Sequence, residues 1–317
     1  MDAINAAVLA RCVQAATLAP SLHNSQPWRF RISDGTVEVF ADRHRLLQVL
    51  DPDGRELMIS VGAAVFTLRL AIRGEGWISD VEILPEPDDP DLVARVRPAA
   101  AAEPTARVRE LAEAIARRHT NRWPFASGAL SADVIAQLTE AADHEGAAFT
   151  IAGAVSRDAI LSLGSTAERR LRAKGEYRAE LGHWTRRGRG RHDGVPPAAI
   201  GPWDALERMP MRDFGLLQPQ PRVAEHFEPH PTIGVLTTGG DTPLDWVRAG
   251  QALQRVLLVA TRLSVATTPI SQPVEIPAIR ELLGDPGTGR CAQMVVRLGY
   301  GAPATASPRR PLAEVLS

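Results

Sequence analysis

Three short segments of this 317-residue chain gather side chains capable of chemistry. Residues 19–30 read APSLHNSQPWRF. Pro20 should end a helix and expose a polar loop carrying the hydroxyl of Ser21, the imidazole of His23 and the amides of Asn24 and Gln26. Such a loop offers donors and acceptors to a flat heterocycle. Residues 117–125 read RRHTNRWPF. Arg118 and Arg122, four apart, fall on one side of a helical turn. Thr120 adds a hydroxyl beside His119, and Pro124 discourages helix beyond Trp123. Two guanidinia and a hydroxyl suit a phosphate monoester. Residues 298–312 read LGYGAPATASPRRPL, in which prolines hold Arg309 and Arg310 extended, ready to complete a phosphate clamp. Each segment alone has a plainer reading: a capped turn, a solvated basic helix end favoured by the helix dipole, and a disordered basic tail.

The elements that must position these residues follow from periodicity and punctuation. Residues 3–19 predict a helix stopped by Pro20, and residues 28–32 and 36–40 predict two strands around a Ser-Asp-Gly turn. Residues 56–72 are apolar on nearly all sides, which predicts a buried helix. Residues 81–84 and 92–96 read as short strands, and residues 98–104 as a Pro/Ala-rich joint. Beyond the joint the order begins again: helices over 105–118 and 132–142, a strand over 148–151, a helix over 159–177, a strand over 232–237, a long apolar helix over 244–263 and a strand over 294–298. The two apolar helices, SVGAAVFTLRLAIR and RAGQALQRVLLVAT, align Gly62 with Gly250, Ala64 with Ala252 and Leu70 with Leu258. Self-similarity of this kind predicts a duplicated architecture, although two unrelated core helices would share such residues too.

Bulk composition excludes several classes. A formal net charge of −1 argues against broad nucleic-acid or membrane-surface binding. Two distant cysteines imply neither a disulfide framework nor a paired-Cys metal site. His226 and His230 have zinc-helix spacing, but Pro229 intervenes, and GDPGTGR at 284–290 fits no phosphate-loop fingerprint. The expectation is a soluble cytoplasmic protein.

With these motifs together, the chain resembles the nitroreductase superfamily, and among its branches the duplicated Acg-type proteins. A helix ending in Pro-Ser-x-x-Asn-x-Gln-Pro-Trp resembles the family's ring-facing loop. RRHTNR resembles its FMN phosphate element, with His119 and Thr120 where a serine-centred pattern usually falls. Gly-Tyr-Gly followed by Pro-Arg-Arg-Pro resembles its C-terminal phosphate contact. The resemblance implies an α+β fold of two tandem nitroreductase-like halves, 1–103 and 104–317, forming an intramolecular pseudo-dimer. It implies FMN as cofactor, with Arg118, Thr120, Arg122 and Arg310 on the phosphate and ribityl chain and Arg309 as a helper. Ser21 and Asn24 would face the isoalloxazine, with His23 and Gln26 as neighbours. Thr268, Pro269, Ile270 and Ser271 would form the loop presenting backbone N–H groups near flavin N5.

The halves are unequal. The first carries the Ser-Asn loop but no double arginine; the second carries RRHTNR and the tail arginines but has lost its own Ser-Asn loop. Each supplies what the other lacks, so the expectation is a monomer with a single FMN. The second half is also longer by roughly 70 residues, far beyond ordinary connections. That insertion, at about 160–225, is expected to fold over the flavin, with Trp203, Phe214, Leu216 and Leu217 to bury. Two functions follow: NAD(P)H-dependent reduction of nitro compounds or quinones, or FMN storage under a lid without turnover. No catalytic acid or base is named, because the flavin carries the chemistry.

Overall fold

The computed structural model describes residues 4–317 apart from Arg187, Arg189, residues 219–221 and Pro286. The expected helix start at Ala3, two arginines of the 185–193 run and the proline of the 284–290 turn lie outside the described residues. In chain order the elements are α1 (Ala6–Ala16), β1 (Trp28–Ser33), β2 (Thr36–Ala41), α2 (Arg55–Gly74), β3 (Trp77–Ile83), β4 (Leu92–Ala101), α3 (Ala106–Arg117), α4 (Ala132–Asp143) and β5 (Ala148–Ile151). There follow α5 (Ala154–Arg172), α6 (Gly175–Thr185), β6 (Trp203–Asp204), β7 (Ala224–Glu225), β8 (Thr232–Thr238), α7 (Pro243–Arg262), β9 (Ala266–Ile270), α8 (Pro277–Arg280), β10 (Cys291–Gly299) and α9 (Leu312–Val315).

Local chemistry sets the main boundaries. Asn5, Thr105 and Ser131 cap α1, α3 and α4 by accepting backbone N–H groups. A reciprocal capping box of Thr242 and Asp245, with Pro243 in the first turn, starts α7. Helix α2 begins differently. Gly54 turns in the left-handed region at φ 75°, and the Asp51 carboxylate accepts the N–H groups of Glu56 and Leu57 at 2.9 and 2.7 Å.

Two antiparallel four-stranded sheets result, ordered β1-β2-β4-β3 and β5-β8-β10-β9. Strand for strand the order is the same, and in each a 20-residue helix joins the second strand to the third. Those helices, α2 and α7, lie against each other between the sheets. At their crossing Gly62 meets Val247 and Gly250, while Gly250 meets Ile59 and Ala63. A methyl group on Gly62 would stand 2.3 Å from the Val247 carbonyl oxygen, and one on Gly250 2.0 Å from that of Ile59. The two glycines aligned by sequence thus make the same contact reciprocally. Each sheet buries one face on its own apolar cluster, one including Trp28, Phe30 and Leu68, the other Leu138, Leu236 and Leu257.

Several boundaries depart from the sequence reading. Strand β3 starts at Trp77, and β4 runs on through Pro98 to Ala101, so much of the expected joint is sheet. Pro98 is tolerated because the pairing of β2 with β4 ends at Val96, leaving its missing N–H no partner there to disappoint. The helix expected over 159–177 is two helices, α5 and α6. Residues 266–270 form strand β9 rather than a loop; it is an edge strand, where Pro269 costs no ladder bond on the outer side. The tail returns to β1: Leu316 bridges to Phe30 and the Ser317 N–H donates to the Phe30 carbonyl at 2.9 Å.

The insertion folds around Tyr177, Leu181, Trp184, Val195 and Ile200, and shares that cluster with Leu47 and Leu50 of the first half. The Glu180 carboxylate accepts the N–H groups of Val49 and Leu50 at 3.0 and 3.1 Å, and Arg45 pairs with Asp193. Phe214 is buried as expected, whereas Leu217 is exposed.

Candidate functional site

The loop after α1 is held in an unusual backbone path. His23, Asn24 and Gln26 all have positive φ, at 50°, 56° and 51°. Non-glycine residues enter that region at an energetic cost and remain there only where surroundings fix them. Here the fixing bonds are visible. The Gln26 N–H donates to Ser21 Oγ at 2.9 Å, its Nε2 to the His192 carbonyl at 2.8 Å, and its Oε1 accepts the Arg310 N–H at 2.8 Å. Asn24 Nδ2 donates to the carbonyls of Gly194 and Pro308 at 2.9 and 3.0 Å. Insertion and tail together brace the loop.

Two adjoining cavities open beside it, of about 810 and about 410 Å³, sharing Pro20, Ser21, Thr120 and Arg122. The smaller is cationic. Arg118 is buried, and its Nη2 donates to the Leu18 carbonyl at 3.2 Å. Arg309 donates to Asn24 Oδ1 at 2.8 Å, and Arg122 to the Ala199 carbonyl at 2.7 Å. The Nε atoms of Arg118 and Arg309 are buried without a partner. Among the described residues no carboxylate pairs with any of the three. Burial, with the Arg309 charge adding to it, pushes Arg118 down to about 9. Burial, then the Arg212 and Arg222 charges, lowers Arg122 to about 10, and burial alone lowers Arg309 to about 10. His119 lines the same cavity, its pKa lowered by burial and then by Arg118 and Arg309. Uncompensated buried cations are costly, so this cluster is built for an anion.

The larger cavity is mostly apolar, walled by Leu22, Ile59, Leu253 and Met294 with Met211 and Phe214 of the insertion. Polar groups enter at points: Ser21 and His23 on one side, Thr120 near the shared opening, and Thr268, Pro269, Ile270 and Ser271 along β9 and its end. His23 is buried edge-on to Phe214 at 5.1 Å, and neither ring nitrogen has a protein partner. Burial, then the charges of Arg212 and Arg122, depresses its pKa well below the usual imidazole value, so the ring is neutral. The Arg122 guanidinium lies over the Phe214 ring, 4.9 Å from its centroid.

Three sequence-expected roles change. Arg310 leaves the cavity. It hydrogen-bonds the carbonyls of Gln26, Trp28 and Glu314, with Asp42 at 3.8 Å, so Arg309 rather than Arg310 faces the anion site. Asn24 lines the cationic cavity and orients Arg309 instead of facing a ring. Gln26 is consumed by bracing bonds and lines neither cavity. Arg310→Ala is accordingly expected to act on stability: loss of these charge-assisted bonds should lower the unfolding free energy of the ligand-free protein by about 1.5–3 kcal/mol. An unchanged denaturant midpoint would remove Arg310 from this structural role.

Arg212 and Glu56, both on the wall of the larger cavity, carry no signal in the sequence. Arg212 sits inside the insertion, and Glu56 reads as an ordinary first-turn acid of α2.

Fold and site together define an α+β protein with a cationic cleft between the loop after α1, the segment after α3 and the C-terminal tail. The chain belongs to the nitroreductase superfamily: it is 32% identical over 317 residues to a Mycobacterium tuberculosis protein provisionally named NAD(P)H nitroreductase acg, covering 97% of this chain and 95% of that one. A second M. tuberculosis protein with the same provisional activity name, Rv3131, is 33% identical over 310 residues, 95% of this chain and 88% of that one. No family model matches the chain. Among solved structures, a Bacteroides fragilis nitroreductase with bound FMN aligns at 17% identity and TM-score 0.38, covering 64% of this chain and 94% of that one. The FMN-dependent nitroreductase NfnB of Mycobacterium smegmatis, in complex with NADPH, aligns at 17% identity and TM-score 0.38, over 64% and 97%.

Proposed function

We propose that the chain binds one FMN and uses it to pass electrons from NAD(P)H to nitro compounds or quinones. The observation that carries this reading is the trio Arg118, Arg122 and Arg309, unneutralised by protein, beside a mostly apolar cavity. A phosphate monoester fits the trio, because its charge balances the unpaired guanidinia and its oxygens can accept the two orphaned N–H groups of Arg118 and Arg309. Arg118, Arg122 and Arg309 would hold the phosphate, Thr120 and Ser21 the ribityl chain at the shared opening, and His23 with residues 268–271 the ring. When bound, the flavin supplies the two-electron chemistry, and the chain supplies position and electrostatics.

The same reading treats residues 1–103 and 104–317 as two nitroreductase-like halves in one pseudo-dimeric monomer. The matching strand orders and the reciprocal glycine contact support it. The halves are complementary at the site: the ring-side loop comes from the first, and the arginines come from the second.

A second reading, FMN sequestration without turnover, is favoured by one observation. The insertion supplies Met211, Arg212 and Phe214 to the cavity wall and is bonded to the loop through Asn24 and Gln26. Anaerobic addition of NADPH to the yellow holoprotein separates the two. Bleaching on the timescale of turnover is expected for the reductase. Failure to bleach, with dithionite still reducing the flavin, would establish the sequestering role. A colourless protein that cannot be reconstituted with FMN sinks both.

A further inference from the structure

Where the start of α2 meets the insertion, the carboxyl groups of Asp51, Glu56, Glu168 and Glu275 are buried together around the guanidinia of Arg55 and Arg212, with Arg172 also acting on Glu168. Burial and neighbouring carboxylates both disfavour the ionised form, so the acid with the poorest set of partners is the one to hold a proton. The hydrogen bonds decide which. Glu275 pairs with Arg212, whose other contacts are Tyr177 Oη and Ser271 Oγ at 3.0 and 3.1 Å. Asp51 spends both oxygens on backbone N–H donors at the start of α2. That leaves Glu56 and Glu168: each has one buried oxygen without a partner, as Glu275 does, but Glu275 holds the ion pair with Arg212. Of the two, only Glu56 lines the larger cavity.

Glu56 is 3% exposed. Its Oε1 accepts from Arg55 Nη2 at 2.8 Å, but Arg55 is shared with Gln293 and the Val274 carbonyl. Burial, then Glu275, raises its pKa well above the usual carboxyl value; Asp51 acts in the same direction, and Arg55 and Arg212 oppose. The other titratable groups on this cavity wall are Arg122, Arg212 and His23; the two guanidinia keep their protons at pH 7, and the neutral His23 carries no acidic one.

We propose that Glu56 is a neutral carboxylic acid at the wall of the larger cavity and gives its proton to the electron acceptor reduced there. The donor role rests on the flavin-reductase reading; the protonation state does not. For a quinone the balance closes. A hydride equivalent, drawn from NAD(P)H through the flavin, adds to one quinone oxygen. The O–H bond of Glu56 breaks, and its proton forms an O–H bond on the other. The quinone is reduced to the hydroquinone, the reduced cofactor is oxidised, and the carboxylate left behind stands beside Arg55 until solvent returns its proton.

Two measurements on the purified holoprotein test this. The infrared difference spectrum of wild type minus Glu56→Gln at pH 7 should show a protonated carboxylic acid band; ionised carboxylate bands in its place overturn the proposal. Reoxidation of dithionite-reduced protein by benzoquinone should slow about 100-fold in Glu56→Gln, the scale of general acid catalysis, with FMN affinity unchanged and partial recovery in Glu56→Asp. Equal reoxidation rates overturn the donor role. Because dithionite bypasses NADPH, this result is read separately from the bleaching test, whose failure would instead fall on the reductase reading.

Discussion

Gly250→Ala is expected to leave the protein largely insoluble or to lower its stability by at least about 3 kcal/mol, beyond the usual cost of overpacking. The added methyl would stand 2.0 Å from the Ile59 carbonyl oxygen, 2.8 Å from its carbon and 2.9 Å from the Ala63 nitrogen. All three are helix backbone, so no side chain can swing aside. Relief would require α2 and α7 to separate along a contact that both apolar clusters share. Alanine's better helix propensity, worth about 1 kcal/mol, cannot offset this. Gly62→Ala should behave alike, from the opposite side of the same crossing. Gly74→Ala is the control: its methyl would sit 3.6 Å from the Ala112 side chain, an ordinary contact, so stability should hold or rise. Denaturant melts of the three variants decide the matter, and a Gly250→Ala midpoint equal to wild type would sink the account of the crossing.

The second large effect is expected from Arg118→Ala, with opposite signs in two states. With FMN present, loss of a buried charge-assisted bond should weaken binding by about 1.5–3 kcal/mol, some ten- to 150-fold in Kd. Without ligand the same change should stabilise the protein, because it removes a buried cation beside Arg309 that no carboxylate balances. The proton linkage agrees. A group lowered to about 9 in the fold but near its usual value unfolded binds fewer protons when folded above pH 9. Its contribution to stability therefore rises as pH climbs through 9 and is most adverse at neutral pH. Isothermal titration gives the first quantity and ligand-free melts at pH 7 the second. Weaker FMN binding together with a less stable ligand-free protein would mean that Arg118 is structural. Unchanged affinity would remove it from the phosphate site.

Much of this architecture was legible in the chain. Long, largely apolar stretches announce α2 and α7 because a helix buried over most of its surface needs little polar face. The alignment of Gly62 with Gly250 anticipated a contact, since small residues matter where backbones approach. RRHTNR announced a cationic cavity by composition, but not by the helical turn expected of it: α3 ends at Arg117, and Arg118 and Arg122 reach the cavity from an extended segment. Other parts were not legible, for identifiable reasons. Arg309 and Arg310 are neighbours of one type, and only the bonds made by the incoming tail decide which turns toward the anion site. The family resemblance predicts a loop over residues 268–271, yet 266–270 form an edge strand, where the missing donor of Pro269 can lie outside the ladder. Arg212 depends on Glu275, 63 residues away, and no local spacing encodes such a pair.

The return of the tail to β1 has a kinetic side. Ser317 bonds Phe30 across 287 residues, so this contact closes nearly the whole chain into a ring. Contacts of such sequence separation must overcome chain entropy before they reward it, and they belong to the slow, late part of folding. Arg309 rides on the same segment, braced only when residues 308–317 have docked. The anion site is thus finished by the step with the highest contact order in the molecule. Sub-global opening that frees this segment would release one of the three arginines while leaving both sheets intact.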